Sequence, residues 1–285
     1  MKPHQHSATA ERVALRRAAH QLIDQPVVFA DPLATRIVGR DAAVVMAANP
    51  RHFETSPIAS YLRAFVAVRS RIAEDELAAA TARGVRQYVV LGAGLDTFAY
   101  RNPDAGAGLR IFEVDFPATQ QWKRGRLAEA GISVPEPPAL TYVPIDFETQ
   151  LLESELERAG VDRAAPAFFS WLGVTPYLTL DKIMATFRFI ASFPSAGVVF
   201  DYGILPSLLS FSERLVVEAV ARRVADAGEP FVTYFDPAVL DNDLRSVGFT
   251  TVEDLDPSAI NSRYFSGRQD GLRVGGAARI VVARR

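Results

Sequence analysis

The chain has 285 residues, 49% of them hydrophobic, a formal net charge of −2 and no cysteine. That is enough apolar sequence to bury the core of one large domain, alone or with an attached subdomain. The balance of charge lacks the basic excess that neutralises nucleic-acid phosphates, and the absence of cysteine excludes disulfides, thiolate nucleophiles and cysteine metal sites.

A cytoplasmic location is in keeping with a cysteine-free chain. The start, "MKPHQHSATAERVALRRAAH", has no apolar stretch of the kind a secretory signal needs. No run reaches the roughly 18 apolar residues of a membrane span. The first eight or so residues are polar and are expected to be mobile.

Apolar residues then recur at helical spacing over 9–24 and 57–83. The second stretch starts at Pro57 and is followed by Gly84, which are helix start and stop signals. Residues 1–85 are therefore expected to form a mostly helical cap, ahead of a core domain over 86–285. Short β-rich runs follow: "QYVVLG" (87–92), "RIFEVD" (110–115), "LTYVPID" (140–146), "AFFSWL" (167–172), "GVVFDY" (197–202), "FTTVEDL" (249–255) and "RIVVAR" (279–284). Helical segments such as 117–130, 149–159 and 180–193 lie between the first five. Strands that alternate with helices imply right-handed βαβ crossovers and a mainly parallel α/β sheet. The central runs are almost continuously apolar, as strands covered on both faces should be. Residues 204–230 hold an apolar helix placed to act as a lid after the fifth strand. Residues 256–278 lack a helical period, so a hairpin-like excursion into an antiparallel last strand is expected.

The first strand runs into Gly92, Ala93 and Gly94. In an open α/β sheet, ligands sit beyond the carboxyl ends of the strands, at the point where strand order reverses. Glycines there let the backbone approach a ligand. A dinucleotide fingerprint needs a third glycine where this chain has Thr97, and a phosphate loop needs Gly-Lys-Ser/Thr, which is absent. The turn thus suits a nucleoside without a phosphate chain, and a nicotinamide-dependent oxidoreductase is the weaker reading. Glu113 and Asp115 end the second strand about 20 residues later, where an acid can accept from ribose hydroxyls. Strand alternation points both to one face. One is available to ribose and the other to the helix that begins near Pro117. Asp146 and Phe147 end the third strand, placed to meet an adenine amino group and ring. Trp171 ends the fourth, on the side of the expected cleft.

The stretches "YVVLGAGLDTFAYR", "FEVDFPATQQWKR", "PIDFE", "SWLGVTPYLT" and "NSRYFSGRQDGLR" together resemble the leucine carboxyl methyltransferase family, and within it the bacterial branch of S-adenosylmethionine-dependent methyltransferases. The resemblance runs from about residue 10 to the C-terminus. It implies a class I methyltransferase fold: a Rossmann-like, seven-stranded, mainly parallel sheet with the last strand antiparallel, helical N-terminal additions and a lid after strand five. It implies S-adenosyl-L-methionine as cofactor, leaving S-adenosyl-L-homocysteine. By the same resemblance Gly92 and Gly94 line the methionine part, with Ala93 between them. Asp115 is the ribose-binding acid with Glu113 close by, and Asp146 and Phe147 contact adenine. Arg69 pairs with the cofactor carboxylate, with Arg71 a near alternative and Arg17 a second cationic contact. One departure concerns the acceptor. Family members that methylate a protein C-terminal leucine carry a glutamate about where this chain has Trp171, so a small-molecule acceptor is expected instead.

Methyl transfer needs alignment and exclusion of water. A carboxylate acceptor needs no base, whereas a phenol or alcohol does. The histidines are His4, His6, His20 and His52, with the first two in the N-terminal tail. The candidates for catalysis are His20, His52 and the tyrosines Tyr177, Tyr202 and Tyr264. None of the histidines has an evident carboxylate partner in sequence, and this shortage of a base favours a carboxylate acceptor. No metal, nucleic-acid or membrane partner is expected. A binding protein that keeps the pocket without turnover is the alternative from another class. A nucleic-acid methyltransferase is disfavoured by the lack of a basic, aromatic-interleaved patch.

Overall fold

The computed structural model describes residues 6–101, 108–147 and 149–285. His4 lies outside them. Seven strands form one sheet: β1 (Gln87–Leu91), β2 (Arg110–Asp115), β3 (Leu140–Pro144), β4 (Phe168–Trp171), β5 (Gly197–Gly203), β6 (Thr251–Leu255) and β7 (Ala278–Arg284). Their order is β3-β2-β1-β4-β5-β7-β6. The first five are parallel, with Val89 opposite Phe112 and Phe169, and β7 is antiparallel to both β5 and β6. Order reverses between β1 and β4, which puts a ligand crevice at their carboxyl ends.

Period-two alternation divides the strand residues between two cores. Val89, Leu91, Phe112, Phe169, Trp171 and Phe200 face one core, shared with α7 (Leu152–Arg158), α8 (Leu180–Ala191) and α10 (Pro237–Ser246). Tyr88, Val90, Ile111, Phe168 and Val199 face the other, shared with α4 (Ala59–Ala82), α5 (Phe98–Arg101) and α11 (Pro257–Tyr264). Burying these runs on both faces, at about 25 cal/mol per Å² of apolar area, makes the sheet the main source of stability. A third cluster joins α1 (Ala8–Ile23), α2 (Ala34–Ile37), α3 (Arg40–Ala48) and α6 (Pro117–Glu129). Among the described residues, no helix is long and apolar enough to cross a membrane.

Two expectations are corrected. Residues 257–264 form helix α11, because Asp256 caps Ala259 N–H at 2.7 Å and Pro257 occupies the first turn. Only Ile260 of that helix is buried, so no apolar period announced it. Residues 6–8 do not trail away from the body. The His6 ring stacks on Trp122 with centroids 4.2 Å apart, and Ser7 Oγ accepts from Ala10 N–H at 3.0 Å as the cap of α1. The segment after β5 includes α9 (Phe211–Asp226), capped by Ser210 and Glu213 in a reciprocal box.

Candidate functional site

A cavity of about 340 Å³ lies over the carboxyl ends of β1 to β4. Its floor is the Gly92–Asp96 turn, Asp115 and Phe116, Ile145 to Phe147, and the turn that follows β4. Arg69 of α4 enters from one side. The roof has two parts: Ser7 to Arg17 of the N-terminal segment, and Gly228 to Val232 after α9.

The glycine turn is built by backbone geometry. Gly92 and Gly94 have φ of 71° and 46°, a region open to glycine and costly for side chains. The N–H groups of Gly92 and Ala93 both donate to Val114 O, at 2.8 and 3.0 Å. A Cβ on Gly92 would come within 2.2 Å of Val174 Cγ2. Asp115 then ties the turn to β2. Its Oδ2 accepts Gly94 N–H at 2.5 Å and its Oδ1 accepts Phe116 N–H at 2.7 Å. Burial pushes its carboxyl above the usual range, while the Gly94 and Phe116 amides pull it back. Each carboxylate oxygen keeps a second lone pair for a ligand hydroxyl.

Two guanidiniums line the cavity. Arg69 Nη1 donates to Asp201 Oδ2 at 2.9 Å. Arg17 Nε lies 2.8 Å from Asp31 Oδ2, and Arg17 Nη2 donates to Leu95 O at 2.5 Å. Asp31 also accepts the Thr97 hydroxyl at 2.7 Å. Arg17 of α1 thereby holds Leu95 directly and Thr97 through Asp31.

The cavity brings together Arg17, Arg69, Gly92, Ala93, Gly94, Asp115, Asp146, Phe147 and Tyr177. Other expected residues lie elsewhere. Glu113 shares a face with Asp115 but sits two residues, about 6.6 Å, further back along the strand. There it is buried against Lys123 Nζ at 2.7 Å and accepts from Tyr100 Oη at 2.9 Å. Arg71 is about 200° around helix α4 from Arg69, so it points outward and pairs with Asp75 at 2.8 Å. Trp171 is fully buried on the opposite sheet face, edge-on to Phe187, while its neighbours Ser170 and Leu172 line the cavity.

The remaining catalytic candidates are also placed away from it. Tyr202 is buried and donates to Asp254 Oδ2 at 2.8 Å. Tyr264 packs against the α4 side of the sheet. His20 is enclosed: Nδ1 pairs with Asp24 Oδ2 at 2.7 Å, and Nε2 accepts Val28 N–H at 2.9 Å. His52 is exposed and packs edge-on against Phe53.

Residues 10–191 match the leucine carboxyl methyltransferase family. The chain belongs to this family. It is 31% identical over 293 residues, 95% of each chain, to a Bacillus subtilis (strain 168) protein named "Putative S-adenosyl-L-methionine-dependent methyltransferase YktD". A Mycobacterium avium (strain 104) relative with the same description is 33% identical over 222 residues, covering 74% of this chain and 70% of its own. Among solved structures, a DUF574 family protein from Streptomyces avermitilis covers 98% of both chains at 18% identity with a TM-score of 0.53, a likeness of fold. As a leucine carboxyl methyltransferase family member, the chain is a methyltransferase that depends on S-adenosyl-L-methionine. The donor set fits that cofactor: a carboxylate with spare lone pairs at β2, a guanidinium on the wall and an aromatic ring after β3.

Several residues of this family member's site carried no readable signal. Thr9 and Glu229 meet across 220 residues of sequence. Asp201 was within reach, since an acid at the end of a central strand is the same signal that marked Asp115. Among the described residues, no group of three or more His, Asp or Glu side chains is placed to hold a metal ion.

Proposed function

We propose that the protein is an O-methyltransferase acting on a carboxylate or hydroxyl oxygen of a small-molecule acceptor in the cytoplasm. The reading is carried by one observation: Arg69, Asp115, Asp146 and Phe147 converge on a single cavity around the Gly92–Gly94 turn. S-adenosyl-L-methionine would supply the electrophilic methyl group. Asp115 would accept from the ribose hydroxyls with the lone pairs that Gly94 and Phe116 leave open. Arg69 would hold the cofactor carboxylate with the part of its guanidinium not given to Asp201. Asp146 and Phe147 would meet the adenine. Arg17 acts one step away, by holding Leu95 O and Asp31.

A cavity of about 340 Å³ under a roof of two segments favours a small acceptor over a macromolecule. The roof excludes water and aligns the acceptor. The test is transfer of labelled methyl from S-adenosyl-L-methionine into a small-molecule extract of the source cells, together with calorimetric titration of S-adenosyl-L-homocysteine. Tight binding and a labelled small product are expected. Binding without transfer to any fraction would overturn the reading.

A further inference from the structure

Of the five catalytic candidates, Tyr177 is the one that lines the cavity. It sits in the short turn Thr175–Tyr177 beyond β4. Its hydroxyl donates to Thr9 Oγ1 at 3.4 Å, and Thr9 Oγ1 donates to Glu229 Oε2 at 2.5 Å. The Thr9 N–H donates to the same carboxylate oxygen at 3.0 Å. All three residues line the cavity.

The direction of this chain restricts the ligand. A phenol hydroxyl has one proton and otherwise accepts. With that proton aimed at Thr9, Tyr177 Oη is left to accept, which suits a ligand group that donates. An ionised carboxylate has no proton to give at neutral pH. An alcohol or phenol has one. Charge points the same way. Arg17 and Arg69 are already engaged by Asp31 and Asp201, whereas the partners of Glu229 are the hydroxyl and amide of Thr9. Among the described residues no cation pairs with Glu229, so this carboxylate of the cavity is placed to serve as a base.

We propose that Tyr177, Thr9 and Glu229 form a proton relay serving a neutral hydroxyl acceptor. This rests on the methyl-transfer reading above. As the acceptor oxygen bonds to the methyl carbon, the S–CH3 bond breaks and its electron pair stays on sulfur. The acceptor proton passes to Tyr177 Oη, the Tyr177 proton to Thr9 Oγ1 and the Thr9 proton to Glu229 Oε2. The positive charge of the sulfonium and the negative charge of the carboxylate disappear together. Tyr177 touches the acceptor, and Thr9 and Glu229 act through it. From sequence alone the lack of a base favoured a carboxylate acceptor; Glu229, brought in by the segment after α9, supplies that base.

The decisive variant is Thr9→Val. It keeps the backbone N–H that pins the roof to Glu229 and removes only the relay hydroxyl. With methyl-labelled S-adenosyl-L-methionine and a small-molecule extract of the source cells, the wild-type product should be stable to alkali, as an ether is. Thr9→Val, Tyr177→Phe and Glu229→Gln should each lower kcat by about 100-fold, the usual loss on removing a general base. Their affinity for S-adenosyl-L-homocysteine should be unchanged. Label released by alkali as volatile methanol would mark a methyl ester and overturn the proposal. So would full kcat in Thr9→Val, or loss of S-adenosyl-L-homocysteine binding in Glu229→Gln. No labelled product from the wild type would instead sink the methyl-transfer reading itself.

Discussion

Arg69 Nη1 lies 2.9 Å from Asp201 Oδ2, joining helix α4 to the end of β5 across 132 residues of sequence. Asp201 Oδ1 also accepts Gly173 N–H at 2.5 Å, so one carboxylate holds both the guanidinium and the turn after β4. Asp201→Asn leaves a buried guanidinium without its counter-charge, which should cost about 3–5 kcal/mol in urea unfolding. Arg69→Ala should weaken S-adenosyl-L-homocysteine binding by about 1.5–3 kcal/mol, the worth of a hydrogen bond to a charged group, read by calorimetry. Equal affinity in that variant would remove Arg69 from the cofactor's carboxylate.

Gly92→Val should abolish S-adenosyl-L-homocysteine binding while the sheet still forms. The new side chain takes a φ of 71° and collides with Val174 on the cavity floor. The backbone strain alone is about 1–3 kcal/mol, and the overlap with Val174 adds to it. Far-ultraviolet circular dichroism should match the wild type, and retained affinity would contradict the placement of the turn.

Asp24 predicts a pH dependence of stability. Burial raises its carboxyl, but hydrogen bonds from His20 and Arg63 outweigh this and leave it below 3.8. A depressed carboxyl contributes stability that is present above pH 3.8 and lost as pH falls through the folded value. Asp24→Asn should therefore cost about 1.5–3 kcal/mol at pH 7, because buried Arg63 loses its charged hydrogen bonds to Asp24 and keeps only Glu54 as counter-charge. The gap from wild type should close in acid. Urea titrations at both pH values measure it, and a constant gap would sink the assignment.

Trp171 and Arg71 serve as contrasting controls. Trp171→Phe opens a cavity costing about 2 kcal/mol. It also removes an indole N–H that has no partner, which offsets about 1–3 kcal/mol. Stability should change little, and S-adenosyl-L-homocysteine affinity not at all. Arg71→Ala removes an exposed ion pair worth about 0–1 kcal/mol and should also leave the affinity unchanged. A loss of affinity in either variant would reopen their placement.

The sheet was legible because its signals are local. Seven short β-rich runs, spaced by helical segments, became seven strands, and their alternation set which residues face which core. Asp115 was legible for a related reason: an acid at a fixed offset after a glycine turn reaches the same crevice whatever surrounds it. Helix α11 escaped because caps, and not an apolar period, define it.

By itself, then, the sequence determined the α/β class, the glycine turn and the acid that follows it, since backbone periodicity and strand ends are properties of neighbouring residues. Only the tertiary structure decided which polar groups share the cavity. Glu113 has the strand parity of Asp115 yet is covered by Lys123, and Trp171 has the right strand but the wrong face. Thr9 and Glu229 meet because an N-terminal helix and the segment after α9 close over the same crevice. A contact across 220 residues is set by packing of whole elements, and no local pattern encodes it.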